Sequence, residues 1–287
     1  MKFNMLSIQK IFVAAFLVLL VSPAFVSCSK TTEIVVQEMQ MELPVGDSVF
    51  KEIVLPGEIA DMQIEHLALK GPIDHRVLFS NRYASLLIFI KGNGRLVADT
   101  TFFELVPESI AIPLECSELT IKVNPEEELH FIRFSKKLTD EDLELLKTYP
   151  NEETVFFTRF EDCEAYTEKI KSPNTVSRTV LPEGVIPRVA LGTVEAPGPD
   201  EVGAHKHPML DQLFLGLTNN HVTVHADGAS AAFKEYSLLH IPIGSSHWVS
   251  VDENKKMHYM WMDFFLTIEG QEWLKTHKPI STDKNDY

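Results

Sequence analysis

Short runs of apolar residues, broken by turn-forming residues, fill most of the chain after residue 45. Residues 86–90 are all apolar and predict a buried strand, and Gly92-Asn93-Gly94 predicts the tight turn that follows it. Runs of the same kind recur between residues 188 and 265. This pattern favours many short strands over long amphipathic helices and predicts a mainly β protein.

A stretch with helical signals separates two blocks of strands. Thr139 and Asp142 can form a capping box ahead of a leucine-rich turn, and a second helical stretch is predicted over residues 161–171, after a strand at 155–160. The resulting domain boundaries are a first barrel at 45–135, a helical linker at 136–173, a second barrel at 174–266 and a C-terminal tail at 267–287.

The N-terminus has the features of an export signal. Lys2 and Lys10 precede an apolar run at residues 11–21, which is too short to span a membrane. The residues just before Cys28 resemble the lipobox of bacterial lipoproteins, with Phe25 where that motif usually has Leu. The resemblance implies a signal peptide at 1–27, a lipidated Cys28 and a tether at 28–44.

This reading predicts a protein of the cell envelope, held by its lipid at the periplasmic face or outer membrane. The alternative is an ordinary cleaved signal followed by an incidental cysteine. Cys116 and Cys163 can form a disulfide in such a compartment, although two buried free thiols are the favoured interpretation.

The candidate chemistry lies in the second block. His205 and His207 are two residues apart, so on an extended chain both imidazoles reach the same side. His247 follows a Pro-x-Gly turn that brings one strand back toward another. Three histidines and one oxygen donor would complete a set of metal ligands.

These residues resemble the two motifs of the cupin family. The first motif is HxH, three or four residues, Glu or Gln, six residues and Gly; the second is Pro-x-Gly-x-x-His, present here at Pro242 to His247. Asn219 replaces the glycine, and counting back from it selects Gln212 over Asp211 as the fourth ligand. The resemblance implies two cupin-type double-stranded β-helix (jelly-roll) barrels.

The two blocks also resemble each other, because residues 87–94 and 213–220 both show a strand followed by a tight turn. Counting from Gly92 places Leu78, Ser80, Ser85 and Glu118 where the second block has its four ligands. Leucine and serine cannot replace imidazoles, so we expect the first barrel to bind no metal and the second to bind one divalent ion (Zn, Fe, Mn, Ni or Cu).

The net charge of the chain limits the classes of partner that it can bind. The chain has 26 Lys and Arg against 41 Asp and Glu and a net charge of -15, with no basic run. Such a chain is a poor partner for nucleic acid. The expected partners are a small-molecule substrate, a membrane through the lipid anchor and, because cupin barrels often pair through exposed strands, a second copy of the chain.

The ligand set resembles that of cupins that process unsaturated uronates. This implies a lyase or isomerase acting on a small, sugar-derived carbonyl or enol compound, with the metal as Lewis acid and Tyr259 or Glu195 moving the proton. One alternative is a dioxygenase resembling the bicupin quercetinases. Another is a non-catalytic lipoprotein that binds a carbohydrate or other ligand. For Tyr259 itself, packing of the barrel is the favoured interpretation.

Overall fold

The structure is a computed structural model that describes residues 34–149, 153–167 and 169–276. The predicted signal peptide, Cys28 and most of the predicted tether lie outside these residues. None of the helices in these residues has the length and the apolar content that a membrane span requires.

Nearly all regular structure is antiparallel β-sheet. The strands that precede the first helix are β1 (Val35–Glu38), β2 (Val49–Ile53), β3 (Met62–Lys70), β4 (Ile73–Leu78), β5 (Tyr83–Gly92), β6 (Gly94–Ala98), β7 (Thr101–Leu105), β8 (Ser109–Pro113), β9 (Glu118–Val123) and β10 (Glu128–Lys137). The later elements are α1 (Asp140–Leu146), β11 (Val155–Arg159), β12 (Ala165–Tyr166), β13 (Val176–Thr179), β14 (Val189–Pro197), β15 (Asp200–Lys206), β16 (Leu210–Gly216), β17 (His221–Ala226), β18 (Ala229–Lys234), β19 (Ser237–Ile241), β20 (Ser246–Val251), β21 (Lys256–Phe265) and α2 (Ile268–Thr276).

Each barrel is a pair of sheets, one large and one small. The first barrel has the strand orders β11-β8-β5-β10-β3-β2 and β4-β9-β6-β7. The second has the orders β1-β19-β16-β21-β14-β13-β12 and β15-β20-β17-β18. The predicted mainly β fold with two jelly-roll barrels is therefore confirmed.

Three apolar cores follow from the alternation of side chains along these strands. Leu67, Phe89 and Phe131 belong to the core inside the first barrel, and Phe214 and Phe233 to the core inside the second. The third core lies between the large sheets of the two barrels. It is formed by side chains on their outward faces, among them Leu86, Ile88, Ile132, Leu213, Met260 and Met262. The barrels thus pack back to back through a shared apolar layer.

Two segments expected to lie apart from the barrels join them instead. Residues 35–38 of the predicted tether form β1, which pairs with β19 at the edge of the second barrel, and Ile34 is buried in its interior core. The predicted C-terminal tail begins with α2, in which Gly270 lies against Met209. Burial of apolar side chains on an available sheet edge explains why β1 is ordered.

The expected helical linker is only partly helical. Thr139 and Asp142 form the predicted capping box at the start of α1. The prediction of a second helical stretch is wrong, because residues 161–171 contain the end of a short 3-10 turn (Phe160–Asp162) and strand β12. The strand edges of the second barrel attract this segment, because the Gly203 amide donates to the Ile170 carbonyl and β12 pairs with β13.

Cys116 and Cys163 are free thiols in the structure, and both are half-buried rather than fully buried. Burial raises the pKa of each thiol, with Asp99 adding to the effect at Cys116. The structure therefore agrees with two thiols and not with a disulfide.

Candidate metal centre

Three histidines meet inside one end of the second barrel. One nitrogen from each of His205, His207 and His247 can be chosen so that all three lie within 4.8 Å of one another. Their ring centroids are 4.3 to 5.5 Å apart. Imidazole nitrogens gathered in this way suit a divalent transition metal.

Strand pairing explains how the histidines come together. His205 on β15 stands opposite His247 on β20, and the register shifts between Val202 and His205. An extra residue in one strand of a pair re-aims the side chains that follow it. His207 follows two residues later and is therefore on the same side as His205.

The Pro-x-Gly turn fixes the approach of the third histidine. Gly244 has a φ of +76°, a conformation that glycine adopts without strain. Its amide donates to the His207 carbonyl over 3.1 Å, so the turn before His247 is attached directly to the HxH segment. The second motif thus holds the first in place through the backbone.

Backbone carbonyls also determine the orientation of two imidazoles. His205 Nδ1 is 2.8 Å from the Gly203 carbonyl, and His247 Nδ1 is 3.2 Å from the Ser245 carbonyl. A carbonyl only accepts, so each Nδ1 carries the proton and each Nε2 presents a lone pair. Burial, followed by the nearby His205, lowers the pKa of His247 to about 4, which keeps its ring neutral.

Gln212 adds an oxygen donor. Its Nε2 donates to Asp263 Oδ1 over 2.7 Å, and both residues are buried, at 5% and 4% exposure. Gln212 Oε1 and His247 Nε2 are two of the four buried side-chain atoms without a hydrogen-bond partner in the described residues. Such atoms are costly to leave unpaired, and a bound ion would supply a partner for a buried lone pair of this kind.

Asp263 is a site residue that the motifs did not reveal. It lies on β21 directly opposite Gln212 on β16. Its carboxylate accepts from the amide nitrogen of Gln212, which leaves the amide oxygen available as a donor to an ion. A signal was present, since Asp263 is a lone acid in an apolar strand and shares a face with Tyr259 and Trp261.

Asp211, the alternative fourth ligand, is on the opposite side of the strand. Its Oδ1 is 3.3 Å from His240 Nε2, and His240 Nδ1 is 2.9 Å from Glu58 of the first barrel. Burial lowers the pKa of His240, but bonds to Asp211 and Glu58 outweigh it and raise the pKa overall. Asp211 thus takes part in the contact between the barrels.

The two side chains predicted to move a proton differ in position. Tyr259 is buried in the interior core, with its ring 4.8 Å from that of Phe214, which in turn lies 6.0 Å from the ring of His247. Trp261 shares this face, and a Cβ on Gly192 would lie 2.4 Å from its Cζ2. The missing side chain at Gly192 therefore makes room for the indole.

Glu195 lies outside the cavity, contrary to its predicted catalytic position. Its neighbours Val194 and Ala196 face the interior core, so Glu195 faces the opposite side of β14. There its carboxylate is 2.7 Å from the ammonium of Lys256. Burial raises its pKa, but Lys256 outweighs this and lowers it overall. Alternation along the strand places this carboxylate out of reach of the histidines.

The corresponding positions of the first barrel differ by one residue from the sequence count. Leu78 and Glu118 are paired, but Glu118 bonds the exposed Arg76, and the pair that faces the core is Val77 with Leu119. Phe79 packs against the same core. Apolar side chains, not serine and glutamate, thus stand where the second barrel has its histidines.

No family model matches the chain, and no curated protein is similar to it in sequence. Solved structures are similar in fold. A Lactobacillus farciminis oxalate decarboxylase, in a formate complex, has a TM-score of 0.59 at 12% identity and covers 86% of this chain and 92% of its own. A Leptotrichia buccalis cupin 2 conserved barrel domain protein has a TM-score of 0.51 at 14% identity, covering 76% and 88%. The chain has the cupin fold.

The likeness extends to cupins with two barrels. Procruciferin, an 11S globulin from Brassica napus, has a TM-score of 0.61 at 10% identity and covers 81% of this chain and 84% of its own. A decarboxylase and a globulin share this architecture, so the cupin fold alone does not determine the chemistry. That has to be inferred from the residues of the centre.

The donors fit a divalent metal. Three imidazoles and one amide oxygen offer four donors without a carboxylate among them, and the Asp263 carboxylate is bonded to the amide. The His triad and the cupin fold together suggest a divalent ion without selecting among zinc, iron, manganese, nickel and copper.

Proposed function

We propose that this protein is a metal-dependent cupin enzyme of the lyase or isomerase type, acting on a small carbonyl or enol compound derived from a sugar. The observation that carries the proposal is that two buried atoms, Gln212 Oε1 and His247 Nε2, have no hydrogen-bond partner in the described residues, while a buried carboxylate at Asp263 holds the Gln212 amide. When bound, a divalent metal would supply a Lewis acid that polarises a substrate oxygen.

We assign the protein ligands as His205, His207, Gln212 and His247. Three of their positions are supported by backbone: the carbonyls of Gly203 and Ser245 orient two rings, and the Gly244 amide holds the carbonyl of His207. This support reduces the reorganisation needed when the set closes on an ion.

In this proposal the proton is moved by Asp263 rather than by Glu195. Asp263 holds the Gln212 amide through Oδ1, and its carboxylate would take the proton from the carbon next to the substrate carbonyl and return it to a neighbouring carbon or oxygen. The substrate is isomerised with no net gain or loss of atoms. Tyr259 and Trp261 shape the apolar wall and exclude water.

The test is turnover with and without oxygen. The full chain, purified in detergent and stripped of metal, is reloaded separately with Zn, Mn, Fe, Ni and Cu. Manganese belongs in the panel because a similar structure, Bacillus subtilis oxalate decarboxylase, contains Mn(II) centres. Unsaturated uronates are then followed by NMR while dissolved oxygen is recorded. We expect conversion without oxygen uptake, reduced roughly 100-fold in Asp263→Asn.

The control is Ser135→Ala, at the corresponding position of the first barrel, which should leave turnover unchanged. Conversion that consumes oxygen would replace this proposal with a dioxygenase. Metal and uronate binding without conversion would replace it with a non-catalytic binding protein.

We also propose that the mature protein is anchored to the cell envelope through a lipid on Cys28. The supporting observation is the lipobox-like sequence that ends at this cysteine. Mass spectrometry of the N-terminal peptide should show a diacylated cysteine, which Cys28→Ser should abolish. An unmodified N-terminus beginning elsewhere would contradict it.

A further inference from the structure

The first barrel has unsatisfied polar atoms of its own. Of the four buried side-chain atoms without a partner in the described residues, two belong to the metal centre, and the others are Ser85 Oγ and Arg133 Nε. A buried donor without an acceptor destabilises the fold, so its retention suggests a ligand that supplies the acceptor.

Both atoms are at the end of the first barrel that corresponds to the metal centre. Ser85 on β5 stands opposite Ser135 on β10, just as Gln212 stands opposite Asp263. Ser85 is 2% exposed and shares the inward face of its strand with Leu87 and Phe89. It corresponds to the proposed oxygen ligand of the second barrel.

Arg133 is the diagonal neighbour of Ser85. It stands opposite Leu87 and shares the inward face of β10 with Phe131. In the second barrel this position holds Trp261. Diagonal partners on one face of a sheet lie about 7–8 Å apart at Cβ, so a small molecule can bridge a serine and an arginine placed in this way.

The guanidinium is held from several sides. Its Nη2 donates to the Leu78 carbonyl over 2.8 Å, its Nη1 is 4.0 Å from Glu65 Oε2, and its Cζ is 5.3 Å from the Phe79 ring centroid. These contacts fix the plane of the group without using Nε. The hydrogen on Nε and the hydroxyl of Ser85 remain as two donors.

The charges and the apolar side chains near Ser85 and Arg133 limit the class of ligand that can bind. Arg133 and Lys51 are positive and Glu65 is negative, with Lys51 Nζ 2.9 Å from Glu65 Oε1, so the group has one positive charge in excess. One negative charge balances it, whereas a dianion would face Glu65. The apolar side chains that replace the histidines, Val77 and Phe79 among them, suit a carbon chain and not an inorganic ion.

We propose that the first barrel binds a small organic monocarboxylate between Ser85 and Arg133, the side chains of which shift to admit it. One carboxylate oxygen accepts from Arg133 Nε and the other from Ser85 Oγ, while its apolar part packs on Phe79. The molecule thus has two ligand sites at equivalent ends of its barrels, one for a cation and one for an anion.

The experiment titrates the full chain in detergent with formate, acetate and propionate by ligand-observed NMR. The His205→Ala/His207→Ala background removes carboxylate binding at the second barrel. We expect saturable binding in the millimolar range, weakened about tenfold by Ser85→Ala and by Arg133→Lys. The matched control is Arg76→Lys, an exposed arginine of the same barrel paired with Glu118, which should change nothing.

Ser85→Ala keeps the test decisive if the arginine variant does not fold. It removes an unsatisfied hydroxyl, so without ligand it should raise Tm by about 2 °C, and acetate should no longer raise Tm further. No saturable binding in the background protein, preference for phosphate over all three carboxylates, or equal affinity in the Ser85→Ala variant would each overturn the proposal.

Discussion

In the second barrel the inward-facing pair across the small sheet is His205 and His247, and in the first barrel it is Val77 and Leu119. The two pairs occupy the same place in strands of the same order. The large sheets differ as sharply. Where the second barrel has Gln212 and Asp263, the first has two serines. The scaffold therefore tolerates either a polar or an apolar lining at these positions.

The two barrels therefore differ in chemistry at only a few inward-facing positions at one end of each. The interior further from that end remains apolar in both, with Phe131 in the first barrel at the position of Tyr259 in the second. The outward faces are apolar in both because they pack on each other. The residues at this end of a barrel can therefore change in chemical type while both apolar cores are retained.

The largest expected effect separates the two candidate oxygen ligands. Gln212→Ala should weaken metal affinity roughly 100-fold, because it removes an oxygen donor and leaves Asp263 without its amide partner. Asp211→Ala should change it less than about threefold, since Asp211 contacts His240 on the other face. Competition with a chelating dye measures both. The reverse ranking would contradict the register of β16.

A smaller loss of metal affinity is expected when the Asp263 carboxylate, which is bonded to Gln212, is removed. Asp263→Ala should weaken metal affinity about tenfold, because Gln212 loses the bond that aims its oxygen. Ser135→Ala, its counterpart in the first barrel, should leave the affinity unchanged. Equal effects of the two substitutions would remove the distinction between the barrels.

The contact between the barrels should be pH-dependent. Since Asp211 and Glu58 raise the pKa of His240, the stabilisation by its charged form is full below the unfolded pKa of about 6.5 and lost as pH rises through the higher folded value. Glu58→Gln should therefore lower the free energy of unfolding by about 1 kcal/mol near pH 6 and by less near pH 9.

Urea unfolding at both pH values measures this difference. Glu104→Gln, in an exposed pair with Arg95, is the control and should show no such dependence between these values. A Glu58→Gln effect that is constant or grows with pH would show that His240 is not the charged partner.

The smallest effect is expected at Tyr259. Because the first barrel has Phe131 at this position, Tyr259→Phe should leave metal content unchanged and alter stability by less than about 1 kcal/mol. Turnover on uronates should also persist if Asp263 moves the proton. A loss of turnover as large as that of Asp263→Asn would restore Tyr259 to a catalytic role.

The barrel fold and the histidines were predictable because they depend on local patterns. Alternation marks the strands, HxH places two rings on one face, and Asn219 adopts the left-handed backbone expected of a residue that replaces glycine, with φ of +64°. Asp263 required a long-range pairing, between β16 and β21, that no motif contains.

The residue count that assigned first-barrel counterparts to the metal ligands gave wrong positions where the connections between strands differ in length. Four residues connect β4 to β5, whereas three connect β15 to β16. A shift of one residue exchanges the two faces of a strand, so the count selected Leu78 and Glu118 when Val77 and Leu119 face inward. Segment 161–171 failed for another reason, since sheet edges of the second barrel override its local helical signals.

Metal stoichiometry in paired variants is the most direct test of a single metal centre in the second barrel. Elemental analysis should compare the full wild-type chain with His247→Ala and with Leu119→Ala, the inward-facing counterparts in the two barrels. We expect about one divalent ion per chain in the wild type and in Leu119→Ala, and none in His247→Ala. Full metal content in His247→Ala, or its loss only in Leu119→Ala, would contradict a single centre in the second barrel.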